Sequence, residues 1–275
     1  MASNLLLTQQ RADPVLMRSE LVKHLTDKEI ARLGVKLGAG SDHPRAFVGP
    51  PFLYDLIGGM QFQLLMELGI REYHRMLDVG CGSLRLGRFV MNYLLPGRYF
   101  GVEPNQKILN EGCELQFGAP LHKSQVIAAR QPKFTHNTEF DFSFTDGPVD
   151  FVFAQSIASH TGPEMTRKLL RSIASVCHKD TVAMVTYIRC INPDKSNKTE
   201  GWFYPECVTY TDEAFGKFAS EAGLHAYRSV WPSVNLRSDG LVTTQQPTIL
   251  TRKPWLPGIG QKLTAALFEG IVKIN

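Results

Sequence analysis

Apolar residues recur along this chain with two different periods, and the alternation between them is the first indication of its fold. Between Phe52 and Leu68, residues Leu53, Leu56, Ile57, Met60, Leu64, Leu65 and Leu68 return at intervals of three and four, the spacing of one buried helical face. Gly58-Gly59 interrupts this run and is expected to bend it. Arg75 to Val79 reads as a short apolar strand. Leu84 to Leu94 carries a helical stripe that Pro96-Gly97 stops. A strand at Tyr99 to Val102, a helix near Gln106 to Gln116, strands near Lys133 to Thr135 and Val149 to Ala154, a helix at Glu164 to Val176 and a strand at Thr181 to Ile188 follow in turn. A last helix, Asp212 to Ala222, has Thr211 as its N-cap and Gly223 as its stop. It precedes strands near His225 to Val230 and Thr248 to Thr251. Alternating β and α segments predict a doubly wound α/β fold, a mostly parallel sheet with helices on both faces.

The alternation starts only after an N-terminal arm. There, Thr26-Asp27-Lys28-Glu29 has the form of a capping box opening a short helix that Gly34 closes, and a Gly- and Pro-rich loop runs from Gly38 to Pro51. The expected organisation is an arm or lid over 1–51, one α/β domain over 52–253 and an amphipathic tail over 254–275, with Leu263 to Val272 packing on the body. At 275 residues and 43% hydrophobic content the chain is long enough for one large core.

Charge and cysteine content narrow the function classes. Lys and Arg number 30 against 26 Asp and Glu, for a net charge of +4, and no run of like charges suggests a nucleic-acid arm. The five cysteines are widely spaced with no Cys-x-x-Cys pair, so they read as reduced thiols and no metal is expected. Neither a signal peptide nor an apolar stretch of membrane-spanning length occurs, so the expectation is a soluble, cytoplasmic protein, monomer or homodimer, with no membrane partner.

The chemistry concentrates where the first strand ends. Gly80-Cys81-Gly82 follows Leu77-Asp78-Val79, and two glycines let the backbone pass close to a ligand while the next helix offers its N-terminal N–H groups. A nicotinamide-binding turn would carry a third glycine at position 85, where this chain has Arg85, and has no need of the acid Asp78. Glu103 ends the second strand, where a carboxylate is suited to accept hydrogen bonds from both hydroxyls of a ribose.

These segments carry a family resemblance. Met76-Leu77-Asp78-Val79-Gly80-Cys81-Gly82, Gly101-Val102-Glu103-Pro104 and Val149-Asp150-Phe151-Val152-Phe153-Ala154 resemble the first, second and fourth motifs of class I S-adenosylmethionine-dependent methyltransferases, over about Tyr54 to Lys253. Ala154-Gln155-Ser156-Ile157-Ala158-Ser159-His160 is similar to the segment after the fourth strand in bacterial small-molecule methyltransferases. The resemblance implies a Rossmann-like methyltransferase sheet with its last strand antiparallel, and S-adenosylmethionine as cofactor with S-adenosylhomocysteine as product. It implies that Asp78 orders the turn or the methionine amine, that Gly80, Cys81 and Gly82 line the methionine moiety, that Glu103 holds the ribose and that Pro104 flanks the adenine. The family's acid after the third strand has no clear counterpart: the slot holds Asn137, with Asp141 four residues on.

Four further readings complete the candidate site. Gln155 and Ser156 end the fourth strand, at the sheet edge where ligands of doubly wound folds bind. His160 is a candidate general base, against the alternative of a structural histidine. Tyr54, with Asp55 beside it, is a candidate for closing over the cofactor's carboxylate, against the alternative of a core tyrosine with a satisfied hydroxyl. Trp202, Tyr204 and Tyr210 are candidates for an aromatic wall beside the acceptor, or for simple loop packing. The expected reaction is SN2 methyl transfer to an oxygen or nitrogen of a small molecule. A nucleic-acid acceptor is disfavoured because no Asn/Asp-Pro-Pro-Tyr/Phe tetrapeptide follows the fourth strand. A protein or peptide acceptor, held by the arm and the loop bearing Lys195 and Lys198, and a non-catalytic cofactor-binding role are the alternatives.

Overall fold

In strand β1 (Met76–Val79) every side chain is buried, but successive ones go to opposite faces of the sheet. Leu77 and Val79 join a core with residues of α8 (Pro163–Ser175) and α9 (Asp212–Glu221). Met76 joins a second core built with α4 (Tyr54–Glu67), α5 (Gly87–Tyr93) and α6 (Gln106–Phe117). Burial on both faces explains why the central strands read as continuous apolar runs. A computed structural model describes residues 14–118, 120–229, 236–238, 241–243, 245–254 and 272–275 of the chain.

The main sheet contains β2 (Tyr99–Val102), β3 (Lys133–Thr135), β4 (Val149–Ala154), β5 (Cys177–Arg189), β6 (Thr209–Tyr210), β7 (His225–Arg228), β10 (Gln245–Thr251) and β11 (Val272–Lys273). Its order is β11-β7-β10-β5-β4-β1-β2-β3, with β6 paired to β5. The pairs from β3 through β5 are parallel, whereas β10 lies antiparallel between β5 and β7. β11 is also antiparallel to β7, so the reversed edge is larger than the single strand expected. Two short strands, β8 (Leu236–Ser238) and β9 (Leu241–Thr243), pair separately. The strand order reverses between β1 and β4, and the carboxyl ends there are where an open α/β sheet leaves a crevice.

The arm comprises α1 (Pro14–Lys23), α2 (Asp27–Leu33) and α3 (Pro44–Phe47). Thr26 and Glu29 form the expected reciprocal capping box, and Gly34 closes α2 in a left-handed conformation. Helix α3, opened by Pro44, lies inside the segment expected to be loop. The helix α7 (Pro120–Arg130) was not anticipated. The tail expected over Leu263 to Val272 lies outside the described residues except at Val272, which is in β11.

Two expectations near the site need correction. Gly58 and Gly59 do not interrupt α4, which runs unbroken past them. A Cβ on Gly58 would lie 2.7 Å from the Arg85 carbonyl oxygen, whereas nothing lies within 4 Å of one on Gly59. Gly58 is therefore there for close approach of α4 to the β1 turn. The helix after that turn opens at Gly87, not Leu84. Gly80, Gly82 and Leu84 all have positive φ, at 70°, 54° and 63°, which no helix accommodates. The turn is thus wider than a simple strand-to-helix connection.

The two glycines make a paired prediction. In urea unfolding, Gly58→Ala is expected to lose about 2 kcal/mol by overpacking against the turn. Gly59→Ala is expected to be neutral or to gain up to about 1 kcal/mol from helix propensity. Equal effects would remove the close-contact explanation.

Candidate active site

The turn after β1 is fastened to the end of β2. The Val102 carbonyl accepts from both Gly80 N–H (2.8 Å) and Cys81 N–H (3.0 Å). One residue on, Glu103 places Oε2 3.0 Å from the Gly82 nitrogen and Oε1 2.8 Å from the Asn105 nitrogen. Its own backbone is held by the Thr135 carbonyl at N–H and by the His136 ring at C=O. Burial pushes the Glu103 carboxyl upward, against the two N–H donors that favour its charge.

Asp78 is buried on the α5 and α6 side, where Tyr99 donates its hydroxyl to Oδ2 at 2.7 Å. Burial raises its carboxyl to about 7, with the Tyr99 bond and the nearby Arg85 charge pulling the other way. Cys81 is buried, and burial drives its thiol well above the ordinary range, so its contribution here is its backbone N–H.

Of the two readings of Tyr54, the structure has the core tyrosine with a satisfied hydroxyl. It is 1% exposed; its hydroxyl donates to the Ser83 carbonyl at 2.8 Å and accepts from Gln116 Nε2 at 2.8 Å. Its ring lies 4.4 Å from the Arg45 guanidinium and 5.3 Å from that of Arg88. With its hydroxyl so engaged, Tyr54 locks the turn from α4. Asp55 is likewise taken, paired with both Arg45 and Arg88.

Asn137 and Asp141 shape the loop after β3. The Asn137 side-chain oxygen accepts from the Glu139 and Asp141 nitrogens, and its amide donates to the Asp141 carbonyl at 2.8 Å. The exposed Asp141 carboxylate accepts from Ser143 N–H, which holds it below the usual range. Pro104 is exposed beside Glu103.

At the end of β4, Gln155 accepts from Gln61 Nε2 at 2.7 Å. Ser156 follows with φ at 60°, a strained conformation for a serine, held by its N–H bond to Thr186 Oγ1. Thr186 bonds Gln245, and Gln245 bonds Ser159, so a polar chain crosses β5 and β10 to the loop bearing His160.

His160 is 8% exposed, and its Nδ1 lies 2.6 Å from the Glu206 carbonyl. A carbonyl only accepts, so Nδ1 carries the proton and Nε2 keeps its lone pair. Burial lowers the His160 pKa, partly offset by that carbonyl. Tyr204 packs edge-on against the imidazole at 5.3 Å, with Trp202 at 5.9 Å and half exposed. Tyr210 does not join them: it is fully buried and donates to the Thr161 carbonyl.

The arm meets this region directly, which no local signal in the sequence announced. The Tyr204 hydroxyl donates to the Phe47 carbonyl at 2.9 Å, and the two rings lie 4.9 Å apart. Val48 occupies the space a side chain on Gly82 would need, and Ile157 does the same at Gly80. Val48 from the arm and Ile157 from the loop after β4 thus cover the glycine turn.

The fold has counterparts among solved structures. Magnesium protoporphyrin IX methyltransferase from Synechocystis PCC 6803 with bound S-adenosylhomocysteine superposes with a TM-score of 0.53 at 14% identity, covering 86% of this chain and 100% of that one. The same enzyme with S-adenosylmethionine gives 0.54 at 12% identity, over 86% and 97%. The fold is that of the class I methyltransferases. The [4+2]-cyclase SpnF also shares it, with a TM-score of 0.51 at 14% identity over 73% of this chain and 72% of that one. No protein-family model matches the chain. Among the described residues no helix is long and apolar enough to cross a membrane.

Asp78 makes stability pH-dependent in a direction that can be checked. Its folded pKa, about 7, lies above the unfolded value near 3.8. The folded state therefore holds the extra proton between those limits, and the contribution of Asp78 to stability falls as pH rises from 4 to 7. Relative to Asp78→Asn, the wild-type protein is expected to lose on the order of 3 kcal/mol over that range in urea unfolding. A constant difference would show that Asp78 titrates as in the unfolded chain.

Proposed function

We propose that this chain is an S-adenosylmethionine-dependent methyltransferase acting on an oxygen or nitrogen of a small-molecule acceptor. The observation that carries the reading is the buried Glu103 carboxylate at the end of β2, bonded to the Gly82 N–H of the glycine turn. A carboxylate oxygen accepts more than one hydrogen bond, so Glu103 retains capacity for ribose hydroxyls. The fold by itself does not carry this reading, because a cyclase shares it.

In this reading Gly80, Cys81 and Gly82 pass the methionine moiety, with Asp78 behind them. Pro104 and the loop braced by Asn137 and Asp141 border the adenine, and Gln155 lies at the edge between cofactor and acceptor. When bound, S-adenosylmethionine supplies an electrophilic methyl group on a sulfonium. The protein's own contribution is alignment and, at His160, acceptance of a proton at Nε2 from the acceptor. The Glu206 carbonyl fixes the tautomer that makes Nε2 available. Trp202 and Tyr204 beside His160 offer the acceptor apolar faces and shield the transfer from water.

Isothermal titration with S-adenosylhomocysteine tests the cofactor half. Wild type is expected to bind one equivalent, and Glu103→Ala to lose about 2 kcal/mol or more through two charge-assisted bonds. Unchanged affinity would take Glu103 out of the site. With an acceptor found by methyl-transfer screening, His160→Ala should lower kcat by about a hundredfold while cofactor affinity stays within about twofold. Retained turnover would leave His160 a structural residue.

A further inference from the structure

The buried positive charges around the β1 turn are not equally compensated. Arg45 and Arg88 share the Asp55 carboxylate. Arg85 is 8% exposed, yet no carboxylate among the described residues lies within ion-pair distance of it. Among the described residues its one hydrogen bond runs from Nη1 to the Val48 carbonyl at 2.6 Å, and its buried Nε has no partner. A guanidinium withdrawn from water without a counter-ion is costly, and proteins retain one where an anion completes it.

The position of Arg85 indicates which anion. It follows Gly82 by three residues on the same turn, and the Val48 whose carbonyl it grips is the residue seated on Gly82. A side chain on Gly49 would approach Nη1 to 3.4 Å, so the guanidinium lies between the arm and the glycine turn. Tyr54 fixes Ser83, two residues before Arg85, and Gly58 lets α4 press on the Arg85 backbone, so that one helix holds the turn carrying the arginine. Asp78 is near enough for the two charges to sense one another, though not paired. Arg85 thus places an uncompensated guanidinium beside the glycine turn, a group complementary to the carboxylate of an amino acid.

We propose that Arg85 binds the α-carboxylate of the cofactor's amino-acid moiety and so distinguishes the intact cofactor from adenosyl thioethers that lack it. This rests on the methyltransferase reading above. A guanidinium presents two N–H groups to a carboxylate, where lysine offers only a point charge.

The test is calorimetry of wild type and Arg85→Gln with S-adenosylhomocysteine and with its decarboxylated analogue, which keeps adenosine, thioether and amine. Arg85→Gln is expected to weaken S-adenosylhomocysteine about 30-fold or more and the analogue less than about threefold. Equal weakening of both ligands would make Arg85 a structural residue of the turn, and no weakening would remove it from the site; either overturns the proposal. Should Arg85→Gln not fold, wild type alone decides: the analogue must bind about 30-fold more weakly than S-adenosylhomocysteine, and equal affinity overturns the proposal. Failure of wild type to bind S-adenosylhomocysteine at all would refute the methyltransferase reading itself, and this inference with it.

Discussion

The clamp between the Glu103 carboxylate and the Gly82 N–H is the constraint on which the candidate site depends. Neighbouring parallel strands fix the ends of β1 and β2 side by side, but sheet pairing stops at Val79 and Val102. Beyond that point the two loops are coupled only by what their own residues supply. The Val102 carbonyl takes two N–H groups from the turn and Glu103 takes a third, while Asn105 secures the other carboxylate oxygen. A buried carboxylate is tolerable there because the donors are backbone groups already in place. The same burial that raises its cost makes each hydrogen bond to it stronger and more directional.

Everything else in the site is arranged around the turn so held. Tyr54 reaches from α4 to hold Ser83, and Gly112 in α6 lets that helix approach so closely that a Cβ would lie 2.5 Å from the Ser83 Cα. Val48 and Ile157 cover the glycines, and Tyr204 ties the arm to the loop after β5 through the Phe47 carbonyl. The arm is thereby a wall of the site. His160 stands behind Tyr204 with its tautomer set, joined through Ser159, Gln245 and Thr186 to the strained Ser156 at the β4 edge. Strain of this kind is found where a rigid surround enforces it for a purpose.

The sheet and the turn were legible because their signals are local. Short apolar runs, Asp78 two residues before Gly80 and a carboxylate closing the next strand are all readable within a few residues; the expected strands fall within a residue or two of their bounds except β5 and β10, which start earlier, whereas the short β6, β8, β9 and β11 were not expected. What escaped depends on contacts between distant segments. Val48 sits on Gly82, and nothing in Phe47-Val48-Gly49 identifies its partner. Arg85 was informative at first only as the absence of a third glycine. That it has no counter-ion among the described residues becomes visible only when Arg45 and Arg88 are seen to share Asp55. Helix α7 escaped for another reason: Pro120 opens it after Gly118-Ala119-Pro120, a run that reads as loop. At Tyr54 the sequence offered two readings, and the satisfied hydroxyl selects the core residue.

The acceptor is the part of the chemistry that the scaffold specifies least, since the loop carrying Trp202 and Tyr204 varies independently of the sheet beneath it. The donor side rests on Glu103, and there the account is most exposed to test. The most direct measurement is a crystal structure of the chain with S-adenosylhomocysteine. The account predicts both ribose hydroxyls within hydrogen-bond distance of the Glu103 carboxylate and the thioether chain beside the Gly80 to Gly82 turn. Ligand density elsewhere on the sheet edge, or a ribose with no contact to Glu103, would contradict it.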